Sequence, residues 1–132
     1  MQIHFWTNDI DTAIGYYTKT LGFSLTYAQP DEGPYDFCIL KLGEQQVMFG
    51  IPPTDLIHLN RQDKPLLESA LSRIGQAGPL SIYLSVPDIK MHYANAVEYG
   101  AEIIEPLWET PWGLNQYSLH DMDGQILTFH NT

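Results

Sequence analysis

The stretch that decides the fold of this chain occurs twice. Residues 3–23 read IHFWTNDIDTAIGYYTKTLGF, and residues 81–101 read SIYLSVPDIKMHYANAVEYGA. Each copy begins with alternating apolar and polar residues, a pattern that predicts a strand. Asp9 in the first copy and Asp88 in the second are suited to cap the helix that follows, and a Gly then suits the end of that helix. The repeat therefore predicts a duplicated structural unit.

Three further strands are predicted after each helix, because runs of alternating residues are separated there by turn signals. They are Phe23–Ala28, Tyr35–Leu42 and Gln45–Ile51 in the first copy, and Glu102–Glu109, Asn115–His120 and Gln125–Asn131 in the second. A βαβββ unit cannot cover its own sheet, so we expect the two copies to pack together and leave a pocket between them. The predicted fold class is α+β, with two βαβββ modules forming cupped mixed sheets around that pocket.

The repeat also divides the chain. We predict a first module over residues 1–51, a linker over 52–79 and a second module over 80–132, all within a single structural domain. One short helix is predicted in the linker after Pro65, because apolar residues there have helical spacing. Those residues are Leu66, Leu67, Ala70, Leu71 and Ile74.

Composition narrows the classes of function. The 132 residues include 6 Lys and Arg against 16 Asp and Glu, for a net charge of −10. We therefore expect neither nucleic acid nor an anionic membrane as a partner, since both bind basic surfaces. No run of eighteen apolar residues predicts a membrane span, and the first residues lead directly into a strand, so we expect no signal peptide.

Cys38 is the only cysteine, which excludes an internal disulfide and favours a cytoplasmic location. Its apolar neighbours predict a buried structural thiol rather than a nucleophile. The sequence contains no G-x-S-x-G motif, no phosphate-binding Gly loop and no C-x-x-C pair. His58 in the linker and His92 on a helix have no neighbouring nucleophile, so both are predicted to be surface residues.

Several short motifs stand at fixed positions in the two copies. They are Asp9-x-Asp11-x-Ala13-x-x-Tyr16-Tyr17, Leu21-Gly22-Phe23, Val86-x-Asp88, Gly100-Ala101, Asp121-Met122-Asp123-Gly124-Gln125 and Leu127-Thr128-Phe129. In these motifs the chain resembles the vicinal oxygen chelate superfamily, which includes glyoxalase I, extradiol dioxygenases, fosfomycin-resistance enzymes and bleomycin-resistance proteins. The resemblance covers nearly the whole chain apart from the linker, and it implies the fold more strongly than the function.

The resemblance also implies where a metal would bind. Enzymes of this superfamily usually hold one divalent metal with four side chains, commonly two His and two Glu, on the first and last strands of each module. The matching positions here are Gln2, Met48, Ser81 and Thr128. None of these side chains is a strong ligand for a divalent metal. We therefore predict a protein without metal or other cofactor.

A displaced metal site would give a different function. His4 and His130 have the same strand parity as Gln2 and Thr128 but are displaced by two residues, or roughly 7 Å. With His120 and Glu109 near the rim, they would make a divalent-metal-dependent lyase, isomerase or dioxygenase. A second rival to the metal-free binding protein is an enzyme without metal that uses His4 or His130 as a general base. A third is a regulatory module whose pocket is vestigial.

Aromatic residues are the remaining candidates for the pocket. Flat rings bind planar or cationic ligands by stacking and cation–π contact, and Glu105 and Glu109 would favour a cation. The segment 110–113 resembles bleomycin-resistance-type proteins, which lack metal and sequester a cationic aromatic drug at a dimer interface. We thus predict a homodimer that sequesters a small aromatic or cationic ligand. Its predicted ligand-binding residues are the walls Trp6, Tyr83, Trp108 and Trp112 and the contacts Gln2, His4, Met48, Thr128 and His130.

Overall fold

The computed structural model describes residues 1–52, 64–76, 78 and 80–131. The first sheet has the strand order β1-β4-β3-β2, with β1 parallel to β4 and the other neighbours antiparallel. Its strands are β1 Ile3–Trp6, β2 Ser24–Gln29, β3 Phe37–Leu42 and β4 Gln45–Gly50.

The second sheet repeats this topology in the order β5-β8-β7-β6. Its strands are β5 Ser81–Ser85, β6 Glu102–Glu109, β7 Asn115–His120 and β8 Ile126–His130. The helices are α1 Ile10–Gly15, which continues as a π-helical turn over Tyr16–Thr20, α2 Lys64–Arg73 and α3 Ile89–Glu98. The predicted α+β fold of two βαβββ modules is confirmed, and α2 lies where the linker helix was predicted. None of the helices within the described ranges is long and apolar enough to cross a membrane.

Both repeated helices begin and end as their sequences indicate. The Asp9 carboxylate accepts a hydrogen bond from the Thr12 backbone N–H at 3.1 Å, and Asp88 accepts one from Met91 at 3.1 Å. Gly22, which follows the first helical segment, has a positive φ of 78°, a conformation that side chains disfavour. The caps therefore fix where the chain passes from the first strand of each module into the helix.

The core lies on the helix side of each sheet. Helix α1 packs on β3 and β4, and α3 packs on β6 and β7. One cluster of buried apolar residues includes Phe49 from the first module and Phe129 from the second. Cys38 is fully buried in this cluster, as predicted, and burial raises the pKa of its thiol to about 11. The opposite face of each sheet carries the residues of alternate parity, including most of the predicted site residues.

Side chains from the helices join the two modules. Consecutive tyrosines in the π-helical turn both reach the second module: Tyr16 donates its hydroxyl to the His120 carbonyl at 3.0 Å, and Tyr17 donates to Asp121 Oδ2 at 2.8 Å. In return, Asn95 of α3 donates to the Lys19 carbonyl at 3.0 Å. These contacts attach the end of the first helical segment to the second module.

The prediction that His92 is a surface residue was wrong. Its Nε2 lies 2.6 Å from the Leu21 carbonyl, and its Nδ1 lies 2.7 Å from the Tyr117 hydroxyl. Because a carbonyl only accepts hydrogen bonds, Nε2 carries the proton and Nδ1 accepts from Tyr117. The end of the first helical segment covers this part of α3, which the periodicity of α3 alone does not reveal. His58 lies outside the described residues.

This setting predicts that stability falls in acid. Burial lowers the pKa of His92, although its bond to Leu21 opposes the shift. The contribution of neutral His92 to the free energy of unfolding is therefore complete above the unfolded-state pKa of about 6.5. It is lost as the pH falls toward the lower folded-state pKa. We expect the free energy of unfolding to decline below pH 6.5 with a slope from this group of at most about 1.4 kcal/mol per pH unit. Urea denaturation of the wild type and of His92→Gln across pH 5–8 measures it, and parallel curves for the two proteins would contradict it.

Candidate functional site

A cavity of about 440 Å³ lies between the two modules. Its walls come from β1 and β4 of the first sheet and from β5 of the second. Among the lining residues are Gln2, Gln46 and Met48 on one side and Ile82, Tyr83 and Leu84 on the other. The volume falls within the range of small-molecule sites in proteins. The pocket that the duplication predicts is thus present where the modules meet.

Gln45 closes one side of this cavity by joining the two modules. Its Oε1 accepts a hydrogen bond from the Ser85 backbone N–H at 2.7 Å, and its Nε2 donates to the Ser85 carbonyl at 2.9 Å. The same Nε2 donates to the Leu42 carbonyl at 3.1 Å. The carboxamide therefore pairs with β5 much as a neighbouring strand would. Sequence analysis did not single out Gln45, because a Gln beside a turn carries no signal of a distant partner.

The structure brings three predicted site residues to this cavity, namely Gln2, Met48 and Tyr83. Tyr83 is 61% exposed, so its ring remains free to meet a ligand. The cavity wall otherwise combines carboxamide and apolar side chains, including Gln46 and Ile82, with the carboxylate of Glu44. Tyr83 is thus the aromatic residue by which this cavity would bind a flat ring.

His4 and Trp6 form a second group, on the face of the first sheet opposite the one that packs against α1. The two rings are in edge contact with centroids 4.6 Å apart, and the ring of Phe37 lies 6.2 Å from that of His4. Partial burial of the imidazole lowers the pKa of His4, although the residue as a whole is exposed. This group is aromatic, as predicted, and it adjoins Gln2 along β1.

The remaining predicted residues lie on the second module. Thr128 is 3% exposed, and its hydroxyl forms a hydrogen bond with the Ser118 hydroxyl at 2.7 Å, so it is already paired. His130 places Nδ1 2.8 Å from the Asn131 carbonyl, and its ring lies 6.4 Å from that of Tyr83. Trp108 and Trp112 contact each other edge to face at 6.3 Å, and both are exposed.

The donor groups present do not fit a divalent metal. Across the described parts of the chain, no group of three or more His, Cys, Asp or Glu is placed to hold one. Of the four positions that match the superfamily's ligands, Thr128 pairs with Ser118, whereas Gln2 and Met48 line the cavity. His4 on β1 and His130 on β8, the candidate displaced ligands, do not belong to such a group within the described residues. We therefore derive no chemical step through a metal.

The strands of the second sheet carry acidic side chains but no Lys or Arg. Glu102, Glu105 and Glu109 all lie on β6, and no Lys or Arg follows Lys90 in the sequence. Glu105 accepts a hydrogen bond from Gln116 at 3.3 Å, and Glu102 lies 3.3 Å from the His120 imidazole. This half of the molecule would attract cations rather than anions.

Comparison with known proteins establishes the family. The sequence model of the Glyoxalase/Bleomycin resistance protein/Dioxygenase superfamily matches residues 2–129. The chain belongs to this superfamily, as its repeated motifs indicate. No curated protein matches the chain in sequence.

Solved structures share the fold at low sequence identity. TioX from Micromonospora sp. ML1 is 24% identical, with a TM-score of 0.76 over 100% of this chain and 94% of that one. A glyoxalase/bleomycin resistance protein/dioxygenase family enzyme from Burkholderia phytofirmans PsJN is 18% identical, with a TM-score of 0.69 over 98% and 95% of the two chains. A bleomycin-binding protein complexed with bleomycin is also 18% identical, with a TM-score of 0.65 over 100% and 97%. These similarities concern the fold.

Proposed function

We propose that this chain is a metal-free binding protein that sequesters a small aromatic or cationic molecule. The observation that carries the proposal is the cavity between the modules, which Tyr83 lines from one side and Met48 from the other. In a metalloenzyme of this fold, the position of Met48 would hold a metal ligand. A thioether and a carboxamide there favour contact with an organic ligand over chelation.

Charge and aromatic content support the same ligand class. The net charge of −10 and the acidic strand β6 favour a cation, and exposed rings such as Tyr83 and Trp112 favour a flat one. A protein of the same fold binds bleomycin, which supports sequestration as a use of this architecture.

The assembly and location form part of the proposal. We infer a homodimer, since open sheet faces with exposed rings are suited to cover one another. A cytoplasmic location agrees with a single buried thiol. The Trp108–Trp112 pair would then lie close to the ligand or to the partner subunit.

The test compares two flat dyes of opposite charge. Titration of the protein's tryptophan fluorescence with ethidium, a planar cation, should show saturable binding, whereas anilinonaphthalene sulfonate, an aromatic anion, should bind more weakly. Tyr83→Ala should weaken ethidium binding about tenfold, because one aromatic contact contributes about 1.4 kcal/mol. Tyr99→Ala is the matched control, since Tyr99 is similarly exposed but lies outside the cavity lining.

Three results would contradict the proposal. The first is equal binding by the Tyr83 and Tyr99 variants, and the second is no binding of either dye by the wild type. The third is one equivalent of tightly held nickel, zinc, iron or manganese in protein purified without chelator, which would favour a lyase, isomerase or dioxygenase instead.

A further inference from the structure

On the face of the first sheet that carries His4 and Trp6, Gly50 is a position without a side chain. Gly50 on β4 pairs with Trp6 on β1 and with Phe37 on β3, so the two rings stand on either side of it. Neighbouring strands are about 4.8 Å apart, which places the backbones that carry these rings about 10 Å from each other. Gly50 is therefore the floor of a gap with two aromatic walls. We call the space bounded by Trp6, Gly50 and Phe37 the ring slot.

The imidazole of His4 occupies the ring slot. A Cβ atom added to Gly50 would lie 2.7 Å from His4 Nε2 and 2.9 Å from its Cε1. The imidazole meets Trp6 at an interplanar angle of 65° and Phe37 at 24°. It therefore lies on the bare backbone of β4, between the two walls, and it is there only because residue 50 lacks a side chain.

His4 is held there weakly in comparison with His92. The His92 ring is fixed by Leu21 and Tyr117, which lie far from it in sequence. The polar contact that favours the charged form of His4 is with its own backbone, and His4 as a whole residue is exposed. Rotation of the His4 side chain into solvent would thus exchange its ring contacts with Trp6 and Phe37 for water and would leave a space between the two aromatic rings.

We propose that the ring slot is a binding site for a flat aromatic or heteroaromatic ring and that His4 is a displaceable plug within it. The proposal rests on the proposed function and specifies one of its sites. A ligand ring enters as the imidazole leaves, so the plugged state competes with binding and lowers the apparent affinity. His4 is then a competitor of the ligand, which reverses the contact role that its position on β1 first suggested.

The first experiment requires no knowledge of the natural ligand. His4→Ala should leave a space of the size and shape of the lost ring, and free imidazole should refill it, since an unfilled cavity of matching shape binds small ligands. We expect saturable binding with a Kd on the order of 1 mM, at least tenfold tighter than binding to the wild type, measured by tryptophan fluorescence and by thermal shift.

Two variants control this experiment. His130→Ala removes the same ring from the other module and should gain no affinity for imidazole. The double variant His4→Ala with Gly50→Ala should lose the gained affinity, because the new methyl group occupies the floor of the ring slot. Imidazole binding that is equal in the His4 and His130 variants, or that survives Gly50→Ala, overturns the proposal. If His4→Ala does not fold, His4→Ser serves in its place.

The second experiment uses ethidium and distinguishes a plug from a contact. His4→Ala should bind ethidium about fivefold more tightly than the wild type, whereas Trp6→Ala and Gly50→Ala should bind it more weakly. If His4→Ala weakens ethidium binding as Trp6→Ala does, His4 contacts the ligand directly, and the proposal that His4 is a plug is overturned. A wild type that binds no dye contradicts sequestration, and the imidazole experiment then still decides whether the slot exists.

Discussion

Replacement of His92 by Ala is expected to lower the free energy of unfolding by about 3 kcal/mol. The change leaves the buried Tyr117 hydroxyl and the Leu21 carbonyl without their partner, at a cost of about 1–3 kcal/mol for each buried group. It also removes a ring that lies 4.4 Å from that of Phe129. Urea denaturation followed by circular dichroism measures the effect, with equal m-values as the check that unfolding remains two-state.

His120→Ala is the matched control for this prediction. His120 also lies at the junction, but its imidazole is only partly buried and its partner Glu102 is exposed, with the two groups 3.3 Å apart. Such pairs contribute about 0–1 kcal/mol. His92→Gln should recover part of the loss because an amide can still donate to Leu21. Equal losses at positions 92 and 120 would show that His92 does not join the modules.

The fold could be predicted because the same pattern occurs in both copies of the repeat, so an element assigned in one copy is supported by the corresponding element in the other. Asp9 and Asp88 cap corresponding helices, and the alternation in 3–6 corresponds to that in 81–85. These are local signals: a cap needs a partner three residues away, and a strand shows its buried face by parity. The positions at which the resemblance implies metal ligands rest on the same local signals, since each lies a few residues from a repeated motif.

The contacts between modules could not be predicted in the same way. His92 meets Leu21 across 71 residues of sequence, and Gln45 meets Ser85 across 40. Neither pair has a local pattern, because each depends on how one module packs on the other. The cavity illustrates the same limit. Sequence analysis assigned it aromatic walls, whereas the structure brings Gln45 and Gln46 to it and leaves Trp6 on the neighbouring open face.

The ring slot depends both on local sequence signals and on contacts that only the packed structure shows. The parity of β1 could show that His4 faces away from the core, which it does. That the imidazole lies over Gly50 depends on the parallel pairing of β1 with β4, since Trp6 rather than His4 is the direct partner of Gly50. A Gly within a strand often marks a close approach by another group, and here that group is a side chain of the same sheet.

Replacement of Tyr17 by Phe is expected to cost about 2 kcal/mol at neutral pH. Tyr17 is fully buried, and its hydroxyl donates to Asp121 Oδ2 at 2.8 Å. Burial raises the pKa of Asp121, and the bonds from Tyr17 and from the backbone at Gln125 and Asp123 oppose this rise. Without the hydroxyl, one carboxylate oxygen is left buried and unpaired, at a cost of about 1–3 kcal/mol.

The pH dependence of that loss identifies its cause. In Tyr17→Phe, the pKa of Asp121 should rise further, and a carboxyl whose folded-state pKa is raised gains stability as the pH falls through that pKa. The deficit should therefore be largest at neutral pH and shrink in acid, where protonated Asp121 no longer needs the donor.

Tyr16→Phe is the adjacent control, because Tyr16 is only half-buried and donates to a backbone carbonyl. Its loss should be about 1 kcal/mol and independent of the ionisation of Asp121. Denaturation of both variants at several pH values decides the matter: a Tyr17→Phe deficit that stays constant with pH would show that lost packing, rather than the unpaired carboxylate, destabilises the variant.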